Sequence, residues 1–341
     1  MTYNFKEISV LIVDSQPALV DLIRGALRLL GVSSESLYSF SEGRMALNIF
    51  KEKKPDLLIL DWEMVDIKGL EFIKVIRNSA DNPYVPIIFM TALTTQKKVL
   101  EARDCGITEF LAKPFTARTL CDRIEAIVER PRRFDLALDY RGPDRRRRKL
   151  EYVDPERRDS DSVQDLKMSE MDIFKTQKKI RTATVLAPPN ILKQKMGSGG
   201  VDTKALAVAQ TFLESNTVDF KPIGIALVDA LEEGLQNSKK NGVESEAGIE
   251  LMLYPAAQLK AQGAMFHFPF LTRIADILVT FLETVEVTDK DVFEIVAAHK
   301  VAFLYILSNH ITGDGGVYGK TLQGELLDAC GRYYKTRNLK P

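Results

Sequence analysis

DLLILD, residues 56–61, decides the fold: four consecutive apolar side chains, Leu57 to Leu60, closed by an aspartate. A strand with one wet face alternates apolar and polar side chains, so an unbroken apolar run reads as a parallel strand covered on both faces. Similar runs recur outward from it: ISVLIVD (8–14) and SLYSF (36–40) before it, VPIIFMT (85–91) and TEFLAKP (108–114) after it. Amphipathic stretches separate them, at Ala18 to Leu30, Gly43 to Lys51, Leu70 to Arg77, Thr95 to Arg103 and Ala117 to Val128. In the first of these, Leu19, Leu22, Ile23, Ala26, Leu27 and Leu30 recur at three- and four-residue spacing, giving one apolar helix face. Five β-α units in succession predict an α/β flavodoxin-like doubly wound parallel sheet.

The chain is longer than one ordinary core needs: 341 residues, 45% hydrophobic and 28% charged. The expected organisation is a first domain over residues 1–131, a charged and partly disordered linker over 132–200, and an all-α helical bundle over 201–341. The linker reading rests on PRRFDLALDYRGPDRRRRKLEYVDPERRDSDS, crowded with both charge signs, and on APPN and GSGG further on. A helix over Gln164 to Ile180 is expected inside it. From Val201 on, Leu206 to Leu213, Ile223 to Leu235, Phe270 to Val285, Val292 to Ile311 and Leu322 to Tyr334 read as helices of a bundle.

Composition excludes several classes. Lys plus Arg and Asp plus Glu both total 47, so no global field draws nucleic acid or anionic lipid. No run approaches a membrane span and the N-terminus lacks a leader pattern, which predicts a cytoplasmic protein. Cys105, Cys121 and Cys330 show neither disulfide nor metal spacing.

In an open parallel sheet, ligands gather at the carboxyl ends of the strands. Four polar residues stand there: Asp14, Asp61, Thr91 and Lys113. A carboxylate at that rim can attack a phosphoryl donor and form an aspartyl phosphate if a divalent cation offsets the incoming charge. Asp14 would help hold the cation. Lys113 supplies a fixed ammonium, and the Thr91 hydroxyl can donate to a phosphoryl oxygen.

Through LIVDSQP, LLILDWEM, IIFMTA and FLAKPF, residues 8 to 130 resemble the receiver domain of two-component response regulators. The resemblance implies that Asp61 is the phosphoacceptor, that Mg2+ is bound by Asp14, Asp61 and the main-chain carbonyl of Glu63, and that Phe110 is the switch aromatic. It also implies a sensor histidine kinase or phosphotransfer protein as partner. Where the family carries two adjacent acids after the first strand, Asp14 is followed here by Ser15, a neutral and weaker ligand, so magnesium affinity should fall. A phosphorylation-independent scaffold with a degenerate receiver is therefore the alternative. If Asp61 is modified, the added charge would draw in Thr91 and let Phe110 turn inward, with readout across Thr95 to Val128.

Other signals are weaker. Acids around the basic run Arg145 to Lys149 favour a solvated segment over a nucleic-acid patch. GDGGVYGKT (313–321) lacks the first glycine of a phosphate-binding loop and reads as a turn between helices. His299 and His310 would share a face of a continuous helix, which raises a phosphorelay through His299 or a metal site including His267; apolar neighbours favour core or cap histidines. The apolar stretch with Met265, Phe266, Phe268 and Phe270 should be mostly core, and any exposed surplus a protein-protein surface. The expected output is thus contact with an unidentified protein or with a second copy, without catalysis beyond the phosphoryl chemistry.

Overall fold

The computed structural model describes residues 1–64, 66–93, 95–137, 140–145, 184–240 and 246–337. Five parallel strands form one sheet in the order β2-β1-β3-β4-β5: β1 Val10–Val13, β2 Leu37–Phe40, β3 Leu57–Asp61, β4 Ile87–Thr91 and β5 Glu109–Ala112. Helices α1 Pro17–Leu29, α2 Gly43–Lys53, α3 Gly69–Arg77, α4 Gln96–Cys105 and α5 Ala117–Glu129 follow the strands in turn. Every residue of β1, β3 and β4 is buried, as their unbroken apolar runs require. Chain order reverses at β1, next to β3, so Asp14 and Asp61 end neighbouring strands beside the switch point.

Local signals set the helix ends. Pro17 occupies the first turn of α1, where its missing N–H costs nothing. Thr116 and Thr119 close a capping box on α5, and Gly106 leaves α4 at φ +100.

The segment after α5 orders against the sheet domain although it has too little apolar surface to fold independently. Strands β6 Phe134–Leu136, β7 Arg141–Pro143 and β8 Thr184–Leu186 form an antiparallel sheet in the order β7-β6-β8. Its anchor is Arg77, fully buried, whose Nε donates to Gly106 O at 2.8 Å and whose guanidinium lies 5.3 Å from the Phe134 ring centre. Short helix α6, Ile191–Met196, then packs on α5, with Asn190 Nδ2 donating to Val128 O at 2.9 Å. The expected helix over 164–180 and the basic run beyond Arg145 lie outside the described residues.

Six longer helices follow among the described residues: α7 Thr203–Glu214, α8 Phe220–Lys240, α9 Glu246–Met265, α10 Pro269–Thr284, α11 Lys290–Ser308 and α12 Gly316–Arg337. Phe266, Phe268 and Phe270 are buried, with the Phe220 and Phe266 rings stacked at 5.4 Å. Helix α7 lies on α1 and α5. Phe212 covers Gly25, where an added Cβ would sit 2.3 Å from the ring, and Gln210 accepts from Ala117 N at 2.8 Å. One apolar core therefore runs from the α1/α5 face of the sheet into the bundle, and a second fills the opposite face under α2, α3 and α4.

The GDGGVYGKT segment is a turn leading into α12, with Gly315 and Gly316 at positive φ. The three cysteines are free thiols. No helix among the described residues is long and apolar enough to cross a membrane.

Candidate functional site

Asp14, Asp61, Thr91 and Lys113 converge at the carboxyl ends of β1, β3, β4 and β5, and all four are buried. The Lys113 ammonium bridges the two acids, 2.7 Å from Asp14 Oδ2 and 2.7 Å from Asp61 Oδ1. Asp14 Oδ1 also accepts from Gln16 N at 2.9 Å, and the Thr91 hydroxyl oxygen accepts from Leu93 N at 2.9 Å. The remaining oxygen, Asp61 Oδ2, is buried without a hydrogen-bond partner. Buried carboxylate oxygens are normally satisfied, so this oxygen marks the pocket as the candidate site.

The electrostatics follow from burial. Removal from water and then the neighbouring Asp14 charge raise the pKa of Asp61, more than Lys113 lowers it. Burial works against the Lys113 ammonium, but the two carboxylates together outweigh it and raise its pKa. Glu63, half-buried beyond Trp62, is raised by burial first, with Glu250 adding to the shift.

Backbone geometry fixes Asp61 as well. Gly69 N donates to Trp62 O at 2.9 Å, and a Cβ on Gly69 would stand 2.4 Å from Asp61 O. Gly69→Ala is therefore expected to lower the unfolding free energy by about 1–3 kcal/mol in urea titrations. An unchanged midpoint would show that the loop after β3 tolerates the displacement.

The residues fit a divalent cation in part. Asp14 and Asp61 place two carboxylates and an unpartnered oxygen together, and the Glu63 carbonyl follows on the same loop. Ser15 contributes no carboxylate, and among the described residues no three His, Cys, Asp or Glu side chains gather as a ready ligand set. Asp56, although buried, belongs elsewhere: its Oδ2 accepts from Ser9 N at 2.8 Å and pairs with Lys195 at 2.9 Å.

Phe110, one residue from Leu111 on β5, is partly buried against the second core. The expected readout face, Thr95 to Val128, does meet the C-terminal helices: α5 through Ala117, and α4 through Lys98, which pairs with Glu250 at 2.8 Å. Helix α1 joins it through Gly25, which the sequence reading omitted.

The phosphorelay through His299 is overturned. Its ring is 0% exposed, its Nδ1 lies 2.8 Å from Ile295 O, and burial pushes its pKa down to about 4. A buried neutral imidazole in mid-helix cannot meet a partner's aspartate. Helix α11 ends at Ser308, so His310 does not extend the same helix; it sits at φ 52 with its ring edge-on to Phe268. His267 instead lies 3.4 Å from Asn216 Nδ2.

The sequence reading also missed Glu250 and Tyr254. Polar residues recur every four positions along the largely apolar α9: Glu250, Tyr254, Gln258 and Gln262. That stripe was the available signal. Gln262 Nε2 donates to Gln258 Oε1 at 3.0 Å, and Gln258 Nε2 donates to the Tyr254 hydroxyl at 2.6 Å.

Comparison with known proteins bears on the N-terminal third of the chain. The response regulator receiver domain model matches residues 10–125. Chemotaxis protein CheY-3 of Vibrio cholerae is 30% identical over 125 residues, covering 37% of this chain and 95% of that protein. Chemotaxis protein CheY of Pseudomonas aeruginosa is 30% identical over 121 residues, covering 36% and 96% respectively. Among solved structures, the chemotaxis response regulator CheY4 of Vibrio cholerae is 28% identical, covers 35% of this chain and 98% of its own, and has a TM-score of 0.33. The chain belongs to the response-regulator receiver family. Its place is in two-component signalling.

Proposed function

We propose that the protein is a phosphorylation-controlled response regulator in which Asp61 accepts a phosphoryl group from a histidine kinase or phosphotransfer protein. The observation that supports this reading is the unpartnered, buried Asp61 Oδ2 beside a lysine that holds Oδ1. In the reaction, Oδ2 attacks phosphorus, the bond from phosphorus to the donor breaks, and its electron pair leaves with the donor. Lys113 fixes the attacking carboxylate through Oδ1 and offsets charge on the incoming group. The Thr91 hydroxyl then donates to a phosphoryl oxygen, and Phe110 turns toward the space that Thr91 leaves. Asp14, Asp61 and the Glu63 carbonyl would hold Mg2+, which supplies positive charge against the phosphoryl oxygens.

The domains divide the work: residues 1–131 receive the signal, and the helices from 201 onward carry it to a partner protein in the cytoplasm. The docked bundle is what makes such a coupling physical, since one continuous core joins α1 and α5 to α7. The exposed residues Val301, Tyr305, Val317 and Tyr318 provide an apolar surface for that partner, with the Tyr305 and Tyr318 rings 5.4 Å apart.

Ser15 tests the reading. Replacing a hydroxyl with a carboxylate adds a hard charged ligand, so Ser15→Asp should tighten magnesium binding by about tenfold, roughly 1.4 kcal/mol. Calorimetric titration measures it, with Asp14→Ala expected to abolish the binding. Absence of magnesium binding to wild type and Ser15→Asp alike would favour the scaffold alternative, in which Asp61 is never modified.

A further inference from the structure

We propose that helix α9 of the C-terminal bundle is a gate over the receiver's acidic pocket, so that a docked α9 and a phosphoryl group on Asp61 exclude each other. The inference rests on Asp61 being the phosphoacceptor and adds what controls access to it.

The gate has a latch and a hinge. At the latch, Glu250 pairs with Lys98 at 2.8 Å, and the Lys98 ammonium lies 5.0 Å from the ring centre of Trp62, the residue after Asp61. One helical turn on, Tyr254 packs against both hydrophobic cores, with its hydroxyl within electrostatic reach of Asp61, Asp14 and Glu63. Burial and those three carboxylates keep the phenol neutral. Under this cover Asp61 and Thr91 are 0% exposed and Trp62 only 5%. A phosphoryl donor cannot reach Oδ2 along a path that α9 occupies.

The opposite edge of the contact is built differently. There Phe212 seals α7 onto Gly25, and the core is continuous. An apolar seam on one side and a partly covered ion pair plus one tyrosine on the other make α1/α5 the pivot and the pocket mouth the edge that parts. Helix α9 need not unfold to open. Its far side, with Met252, Ala256 and Leu259, is buried in the bundle, and Gly234 of α8 lies so close to Leu251 O that a Cβ would be 2.4 Å away. The carbonyl of Leu251 is the one that Pro255, lacking an N–H, leaves without its usual helical donor. The bundle therefore moves as a body.

Phosphorylation works against the latch directly. It would bring nearly two negative charges next to Trp62 and the Lys98–Glu250 pair, below the point where Tyr254 packs on both cores. Lys113, Lys98 and Lys68 are the cations near that mouth, and the first two are already engaged by carboxylates.

The chain has a single tryptophan, Trp62, and it lies at the pocket mouth, so its fluorescence reports the gate without further labelling. The test compares full-length wild type, Tyr254→Ala, Glu250→Lys and the charge exchange Lys98→Glu/Glu250→Lys, by acrylamide quenching of Trp62 and by the rate of modification with acetyl phosphate and magnesium. An open form populated at about 0.1–10% in wild type predicts that Tyr254→Ala is quenched several-fold more strongly and modified at least about tenfold faster. Glu250→Lys should move the same way, and the charge exchange should return both readouts toward wild type. Equal quenching and equal rates in wild type and Tyr254→Ala would overturn the gate. Stronger quenching with no modification of any variant would instead support the docked cover and overturn Asp61 as phosphoacceptor.

Discussion

Lys113→Met is expected to lower the unfolding free energy by about 3–5 kcal/mol at pH 7.5, because it leaves two buried carboxylates facing each other without their shared cation. In the wild type the ammonium stands 2.7 Å from both acids and is itself buried, so no water can replace it in place. Methionine keeps the length and removes the charge. The loss should shrink as pH falls below about 7, since burial and Asp14 raise the Asp61 pKa to about that value and its protonation relieves the repulsion. Magnesium should restore part of it by supplying the missing positive charge to the folded state alone. Urea unfolding at several pH values, with and without magnesium, measures all three effects. A loss below about 1 kcal/mol at pH 7.5 would mean that the acids are already neutral or hydrated in the folded chain.

Asp61→Asn should move stability the other way, by about 1–3 kcal/mol above pH 7. Burial and Asp14 raise the pKa of Asp61 to about 7. An acid whose pKa rises on folding holds its proton more tightly in the folded chain. The wild type therefore loses stability as pH climbs from the ordinary carboxylate range through about 7. Asparagine never ionises and escapes that loss. The variant's advantage should be absent near pH 4, grow across the interval and level off above it. A difference independent of pH would assign the effect to packing and not to the charge. Two neighbouring side chains with opposite expected effects give the pocket a signature that a general structural defect would not reproduce.

The receiver was legible because its information is local. Leu57 to Leu60 announced a covered strand, and Asp61 stood at its end whatever the rest of the chain did. Asp14, Thr91 and Lys113 could be placed at one rim for the same reason: a parallel sheet puts all strand ends of one sense together. His299 was legible in part, since Ala302, Phe303 and Leu304 after it favoured a core position, now seen as a fully buried ring, although Leu304 itself is exposed.

What stayed hidden depends on partners distant in sequence. Phe134 lies in a charged segment and packs against Arg77 and Tyr84, partners that its own neighbourhood does not reveal. Tyr254 looked like one more apolar helix residue; its place against both hydrophobic cores comes from packing between segments nearly two hundred residues apart. The four-residue spacing of Glu250, Tyr254, Gln258 and Gln262 marked a face without saying what it faced.

The most direct test of the central claim is the intact mass of the full chain after incubation with magnesium and acetyl phosphate, for wild type and Asp61→Asn. One added phosphoryl group on the wild type and none on Asp61→Asn is the predicted result. Equal addition to both, or none to the wild type even when its pocket is opened by Tyr254→Ala, would contradict it.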